Sequence, residues 1–184
     1  ANPLAALVQL LFSSFAIERG GPLKSNLRSM IRKLLKKFKT TAVIVTHDII
    51  DAMEMSDEII VIDKGKVIQK GPPDEIYNNP ISKKVALLFG KTNFIPLKMV
   101  PDSKNYFFDD ETKESWISIR PNQFIIYDEI TKYKGKIYIG KIKSVKRLAS
   151  ELKLELKCDN LLLNISLNTL TELFVGQELK VIIP

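Results

Sequence analysis

The chain has 184 residues, 45% of them hydrophobic and 27% charged, with a formal net charge of +7. That length holds one ordinary domain or two small ones, and the balance is that of a globular chain rather than a disordered one. No window stays apolar long enough to span a bilayer as a helix. A lone cysteine, Cys158, excludes an internal disulfide and a cysteine metal cluster, and fits a reducing, cytoplasmic setting. The positive charge predicts an anionic partner (nucleic acid, a membrane surface or a phosphate-bearing ligand) or, more simply, a lysine-rich surface.

The opening stretch "ANPLAALVQLLF" is apolar but lacks the basic leader of a signal peptide. Ala at position 1 instead of Met leads us to expect a fragment or a processed product. Residues 22–39 predict an amphipathic helix. Leu23, Leu27, Met30, Ile31, Leu34, Leu35 and Phe38 recur at helical spacing, with Pro22 suited to the start. The remaining faces carry Lys24, Arg28, Arg32, Lys33, Lys36, Lys37 and Lys39 without an acidic residue, and read as solvated. "TAVIV", residues 41–45, predicts a buried strand of a parallel sheet. "DIIDAMEMS" predicts a short helix capped by Asp48. "DEIIVID" and "VIQKG" read as strands joined by the "KGK" turn, and Pro73 and Pro80 as the starts of two short helices, the second ending at Gly90. Strand, helix and strand in close succession predict an α/β domain with a parallel sheet.

After Gly90 the texture changes. "SWISIR", "QFIIYD", "GKIYIGKIKSVKRL", "ELKLELK", "NLLLNISL" and "ELKVIIP" predict short strands of a small barrel or sandwich. In "ELKLELK", Leu152, Leu154 and Leu156 point one way and the charged residues the other. Prolines and polar residues cluster at 91–105, so two domains are expected, 1–97 and 98–184. Within the second, Arg120 reads as a strand-end surface charge, Pro121 as a turn former, and Trp116 and Phe124 as core. The lysines of "GKIYIGKIKSVKR" read as a solvated strand face, with a regulatory oxyanion site as the alternative.

His47, the only histidine, follows the predicted buried strand together with Thr46 and Asp48. Open α/β sheets place ligand chemistry at the carboxyl ends of their strands. An imidazole there suits a phosphate oxygen or an attacking water, although a structural histidine also fits.

The run "VTHDIIDAMEMSDEIIVIDKGKVIQKGPPDEIYNNP" resembles the end of the nucleotide-binding domain of ABC transporter ATPases, importer subunits in particular. The resemblance implies that His47 is the switch histidine, which contacts the γ-phosphate of ATP and the attacking water in a closed dimer. It also implies a structural role for Asp57. "ISIRPNQFIIYDE" and the strands after it are similar to the accessory OB-like β-domain of these subunits, termed TOBE. The stretch "RLASELKLEL" looks most like sulfate or molybdate importers, and ferric-iron and polyamine importers share much of it. The implied architecture is a partial parallel-sheet ATPase domain followed by a small all-β TOBE domain.

Upstream, the resemblance is damaged. On an ungapped alignment of "ANPLAALVQLLFSSFA", Gln9 falls on the magnesium-supporting aspartate, Leu10 on the catalytic glutamate and Ala16 on the dimer-loop aspartate; a shifted alignment puts Glu18 on the last. Leucine cannot polarise water, and glutamine brings no charge to a magnesium shell. The glycine-rich phosphate loop (Walker A) and the Ser-Gly-Gly-Gln signature are absent from the sequence. The expectation is therefore the C-terminal part of an importer ATPase subunit, unable to hydrolyse ATP unaided. The full-length protein would use ATP and magnesium, pair with a second ATPase subunit, engage transmembrane permease subunits, and sit on the cytoplasmic face of the plasma membrane. A dimerising or regulatory remnant without hydrolysis is one alternative. An OB-like nucleic-acid binder is another, resting on charge and fold analogy alone.

Overall fold

A computed structural model describes residues 22–128, 135–169 and 171–183. Gln9, Leu10, Ala16 and Glu18 lie outside the described residues. The described residues divide into two compact units, one holding 22–60 with 70–74, the other 61–69 with the described residues from 75 onward.

In the first unit, helix α1 (Pro22–Lys37) matches the predicted amphipathic segment, with Ile31 buried and Lys36 and Lys37 in its last turn. Met30 and Phe38, expected on the buried face, are exposed. Helix α2 (Ile49–Met55) starts at Asp48, which accepts the backbone N–H groups of Ile50 and Asp51 as predicted for an N-cap.

The segment between the two helices departs from expectation. Residues 41–46 form neither helix nor strand, and Val43 and Val45 are 89% and 94% exposed. The β-branched run has strand character, but a strand persists only where a neighbour completes its hydrogen-bond ladder. None of the described strands pairs with it.

Strands β1 (Ile59–Asp63) and β2 (Lys66–Gly71) form a two-stranded sheet. Their turn, Lys64–Gly65, has φ of 48° and 74°, the two positive values that a tight primed turn demands, of which glycine accepts the second without strain.

Helix α3 (Pro73–Asn78) is opened by proline as expected. Helix α4 (Lys83–Leu88) starts later than Pro80, because Ser82 accepts the N–H of Val85 and supplies the cap. Gly90, at φ 105°, follows the terminal Phe89, as predicted for the left-handed residue after a helix.

Beyond it lie two antiparallel sheets. β3 (Asn93–Pro96), β5 (Glu114–Ile119) and β4 (Phe107–Asp109) form one, with β5 central. β6 (Ile125–Ile126), β10 (Glu178–Ile183), β7 (Lys136–Leu148), β8 (Glu151–Cys158) and β9 (Leu161–Asn168) form the other, in that spatial order. Their inner faces share one core in which Ile95, Ile117, Phe124, Leu156, Leu163 and Val181 are almost wholly buried. Leu152, Leu154 and Leu156 all point into it, as their alternation predicts.

On β7 the register with β8 shifts between Ile142 and Ser144. Such a bulge bends a long strand. Here it lets Ile142 stay buried and Val145 half-buried on either side of the irregularity. Architecture among the described residues is thus a helix–strand mixture dominated by antiparallel sheet.

Candidate functional site

His47 sits in a bend one residue before the cap of α2, with its side chain exposed. Its flanks are held firmly. Thr46 Oγ1 accepts the N–H of Asp48 at 2.9 Å and donates to Asp51 Oδ2 at 3.4 Å. Asp48 Oδ1 accepts the N–H of Ile50 at 2.9 Å. The bend preceding α2 is therefore closed by two side chains of the chain's own "THDIID" run, Thr46 on one side of His47 and Asp48 on the other. Thr and Asp favour this geometry because their short oxygens reach a backbone N–H two residues on.

Behind the bend stands Arg28 of α1, only 8% exposed. Its Nε donates to Asp51 Oδ1 at 2.6 Å, and Nη1 to Glu54 Oε2 at 3.5 Å. Nη2 lies 3.6 Å from Asp48 Oδ2. Arg32, one turn on, donates to the Glu54 carbonyl and, at 3.1 Å, to Asp57 Oδ1. The face of α1 read as solvated is in these two positions an ion-pair surface against α2. Asp57, given a structural role by the resemblance, is an exposed partner of Arg32. Sequence reasoning missed Arg28 and Arg32 because their partners lie twenty or more positions away. The only available signal was that Asp48, Asp51, Glu54 and Asp57 recur at three-residue spacing, along one side of a short helix.

Chemically, the bend presents one imidazole that can donate to an oxyanion or accept from a water. That fits a single contact to a phosphate oxygen. It does not amount to a nucleotide cradle. Among the described residues no group of three or more His, Cys, Asp or Glu side chains is placed to hold a metal ion. Magnesium and most of the nucleotide would need residues other than these.

In the second unit the structure corrects two further expectations. Arg120 is not a surface charge: it is 1% exposed. Its guanidinium donates to the carbonyls of Tyr77 (3.0 Å from Nη2), Ala86 (3.0 Å) and Gly90 (3.1 Å), and stacks 4.2 Å from the centre of the Tyr77 ring. Burial lowers its pKa, against a smaller opposing effect of Tyr77. Pro121 does open a turn, the short 3-10 helix Pro121–Gln123, in which Gln123 Oε1 accepts the Arg120 N–H at 2.7 Å. Phe124 is core, whereas Trp116 is only half-buried, with Lys83 Nζ 4.1 Å above its ring and its indole N–H on Thr112. Among the β7 cations, Lys136 donates to the Met99 carbonyl and Arg147 to those of Thr169 and Thr171, while Lys141, Lys143 and Lys146 are exposed.

No protein-family model matches the chain. Curated proteins do. Fe(3+) ions import ATP-binding protein FbpC 1 of Pectobacterium atrosepticum is 34% identical over 121 residues, 61% of this chain and 34% of that protein. Sulfate/thiosulfate import ATP-binding protein CysA of Thermosynechococcus vestitus is 31% identical over 163 residues, 87% of this chain and 46% of that protein. Spermidine/putrescine import ATP-binding protein PotA of Clostridium acetobutylicum is 33% identical over 147 residues, covering 73% and 41%. The chain belongs to the family of ABC importer ATP-binding subunits. It spans less than half the length of the curated relatives it matches. Among the described residues no helix is long and apolar enough to cross a membrane.

Proposed function

We propose that the chain is the C-terminal portion of an ABC importer ATP-binding subunit whose full-length form couples ATP hydrolysis to transport, with His47 as its contact to the γ-phosphate. Residues 1–97 are the end of the nucleotide-binding domain and 98–184 the TOBE-like β-domain. The full-length subunit pairs with a second copy, binds ATP and magnesium, and docks on permease subunits at the cytoplasmic face of the membrane. An inorganic anion such as sulfate or molybdate is the cargo class best supported. The likeness to the sulfate/thiosulfate proteins runs over 72–87% of the chain, that to the polyamine proteins over 63–73% and that to the iron protein over 61%.

The observation that carries this reading is the His47 bend itself. Its imidazole is exposed while the residues on either side are pinned by Thr46, Asp48 and Asp51. A structural histidine would be buried or bonded; a ligand contact needs a free imidazole on a fixed backbone.

The test is a chimaera in which residues 40–97 replace the aligned segment of a relative with measured ATPase activity. Turnover is expected to survive the graft and to fall by about 100-fold or more on His47→Ala. Unchanged turnover in that variant would overturn the phosphate-contact reading. The isolated chain, with Gln9 and Leu10 at the acidic positions, is expected to show no turnover. Those two residues also favour a second reading, a dimerising relative without hydrolysis. Self-association in sedimentation, with no turnover from the graft, would favour it.

A further inference from the structure

We infer that Arg28 is the positioning residue for His47: it sets the height and direction of the His47 bend by gripping the first turn of α2. The inference rests on the reading of His47 as a phosphate contact.

His47 has no burial to fix it, so its orientation is inherited from the backbone between Thr46 and the α2 cap. That backbone is tied to two carboxylates. Asp48 caps the helix through Ile50 and Asp51 N–H, and Asp51 Oδ2 receives the Thr46 hydroxyl. Both carboxylates are in turn held by the same guanidinium, Asp51 through Nε at 2.6 Å and Asp48 through Nη2 at 3.6 Å. A third arm reaches Glu54, one turn further along α2. Three contacts from one planar group fix α2 in rotation as well as distance, which a single point contact does not do.

The alternatives within the unit are weaker. Met55 and Ile31 are buried apolar residues, and apolar packing is non-directional. Arg32 contacts only the far end of α2 and Asp57 in the described bonds, seven or more positions beyond His47. The position of Arg28 is also costly unless occupied by a matched charge set: a guanidinium 8% exposed needs anionic partners. Here they are the residues that close the bend.

His47 is the only histidine, so its imidazole gives an unambiguous carbon–proton resonance in the full 184-residue chain. Arg28→Lys keeps the charge and removes the fork. The expected result is a displaced or exchange-broadened His47 signal, with the resonances of β7 and β8 unchanged. Arg32→Lys, the matched control on the same helix, should leave the His47 signal in place. A His47 signal in Arg28→Lys superimposable on the parent would overturn the inference, as would an equal displacement by Arg32→Lys. Arg28→Ala is a stronger variant. Should it unfold the first unit, Arg28→Lys still decides. In a chimaera enlarged to carry residues 22–97, so that Arg28 and its partners travel together, Arg28→Lys is expected to lower kcat by about 10-fold with little change in KM, because the bend is misplaced in a site otherwise intact. If the resonance moves but His47→Ala leaves chimaera turnover untouched, the positioning stands and the phosphate reading fails.

Discussion

Two arginines show how much a single residue can organise, and neither was legible. Arg28 lies in a run of basic residues on α1, and Arg120 at the end of β5; each reads as a surface charge when only neighbours in sequence are considered. Both are buried because each meets several oxygens from distant segments, carboxylates for Arg28 and main-chain carbonyls for Arg120. Pairing over such separations leaves no periodic trace. For Arg120 the consequence can be measured. Its guanidinium is the donor for the Tyr77, Ala86 and Gly90 carbonyls, which end α3 and α4. Carbonyls at helix ends are short of intrahelical partners (Ala86 keeps a 3.3 Å bond from the Phe89 N–H), and burial without a donor is costly. Arg120→Met keeps much of the apolar volume and removes every donor, with an expected loss of about 3–5 kcal/mol. The thermal midpoint of the second unit should fall by more than about 10 °C, read from the lone tryptophan, Trp116. A fall of only a degree or two would show that those carbonyls are satisfied without Arg120.

Elements were legible to the extent that their own periodicity decided them. β8 announced itself through Leu152, Leu154 and Leu156, and α1 through its helical stripe, since each has a buried face of its own. β3 and β4 were missed: three or four residues give too short an alternation, and both exist by pairing with β5. Residues 41–45 show the opposite failure, strong strand character without a described partner. At this scale the link from Lys83, first residue of α4, to Asp109, last of β4, bears on pH. The Lys83 ammonium lies 2.6 Å from Asp109 Oδ2 and, as its hydrogen-bond partner, holds that carboxyl below the ordinary aspartate range, aided by Thr112 and the Glu111 N–H. Asp63 with Lys84, and Glu151 with Ser166 and Lys153, are lowered in the same direction. Because the folded pKa is depressed, the unfolded chain takes up the proton first as pH falls. The stabilisation is complete above the ordinary carboxyl value and disappears as pH drops below it through the depressed one. Lys83→Met should raise the Asp109 titration midpoint in carboxyl-carbon NMR without restoring it fully, since Thr112 and Glu111 remain. It should also flatten the acid limb of the stability curve. An unmoved midpoint would remove Lys83 as the cause.

For the molecule as a whole, burial is unevenly shared between the two units. The second contains a continuous apolar core drawn from both antiparallel sheets, with Ile95, Ile117, Leu156 and Val181 at or near zero exposure. In the described part of the first, the buried apolar residues are few (Ile31, Met55 and Ile59), while Val43, Val45 and Ile50 face outward. Its firmest contacts are ion pairs around Arg28, which confer direction more than net stability because desolvation offsets much of the attraction. Local stability follows buried apolar area, so the first unit should open at lower denaturant than the second. The chain carries one reporter in each, His47 in the first and Trp116 in the second. In a urea titration the native His47 resonance should be lost well before Trp116 fluorescence changes, and the two curves should fit different midpoints. Coincident curves would mean a single cooperative transition and would refute the separation. Arg28→Lys should move the first midpoint alone and Arg120→Met the second alone, since the contacts described for each residue lie within one unit. A shift of both midpoints by either variant would show that the units share stability, and the charge network behind His47 would then have to be weighed against the whole fold.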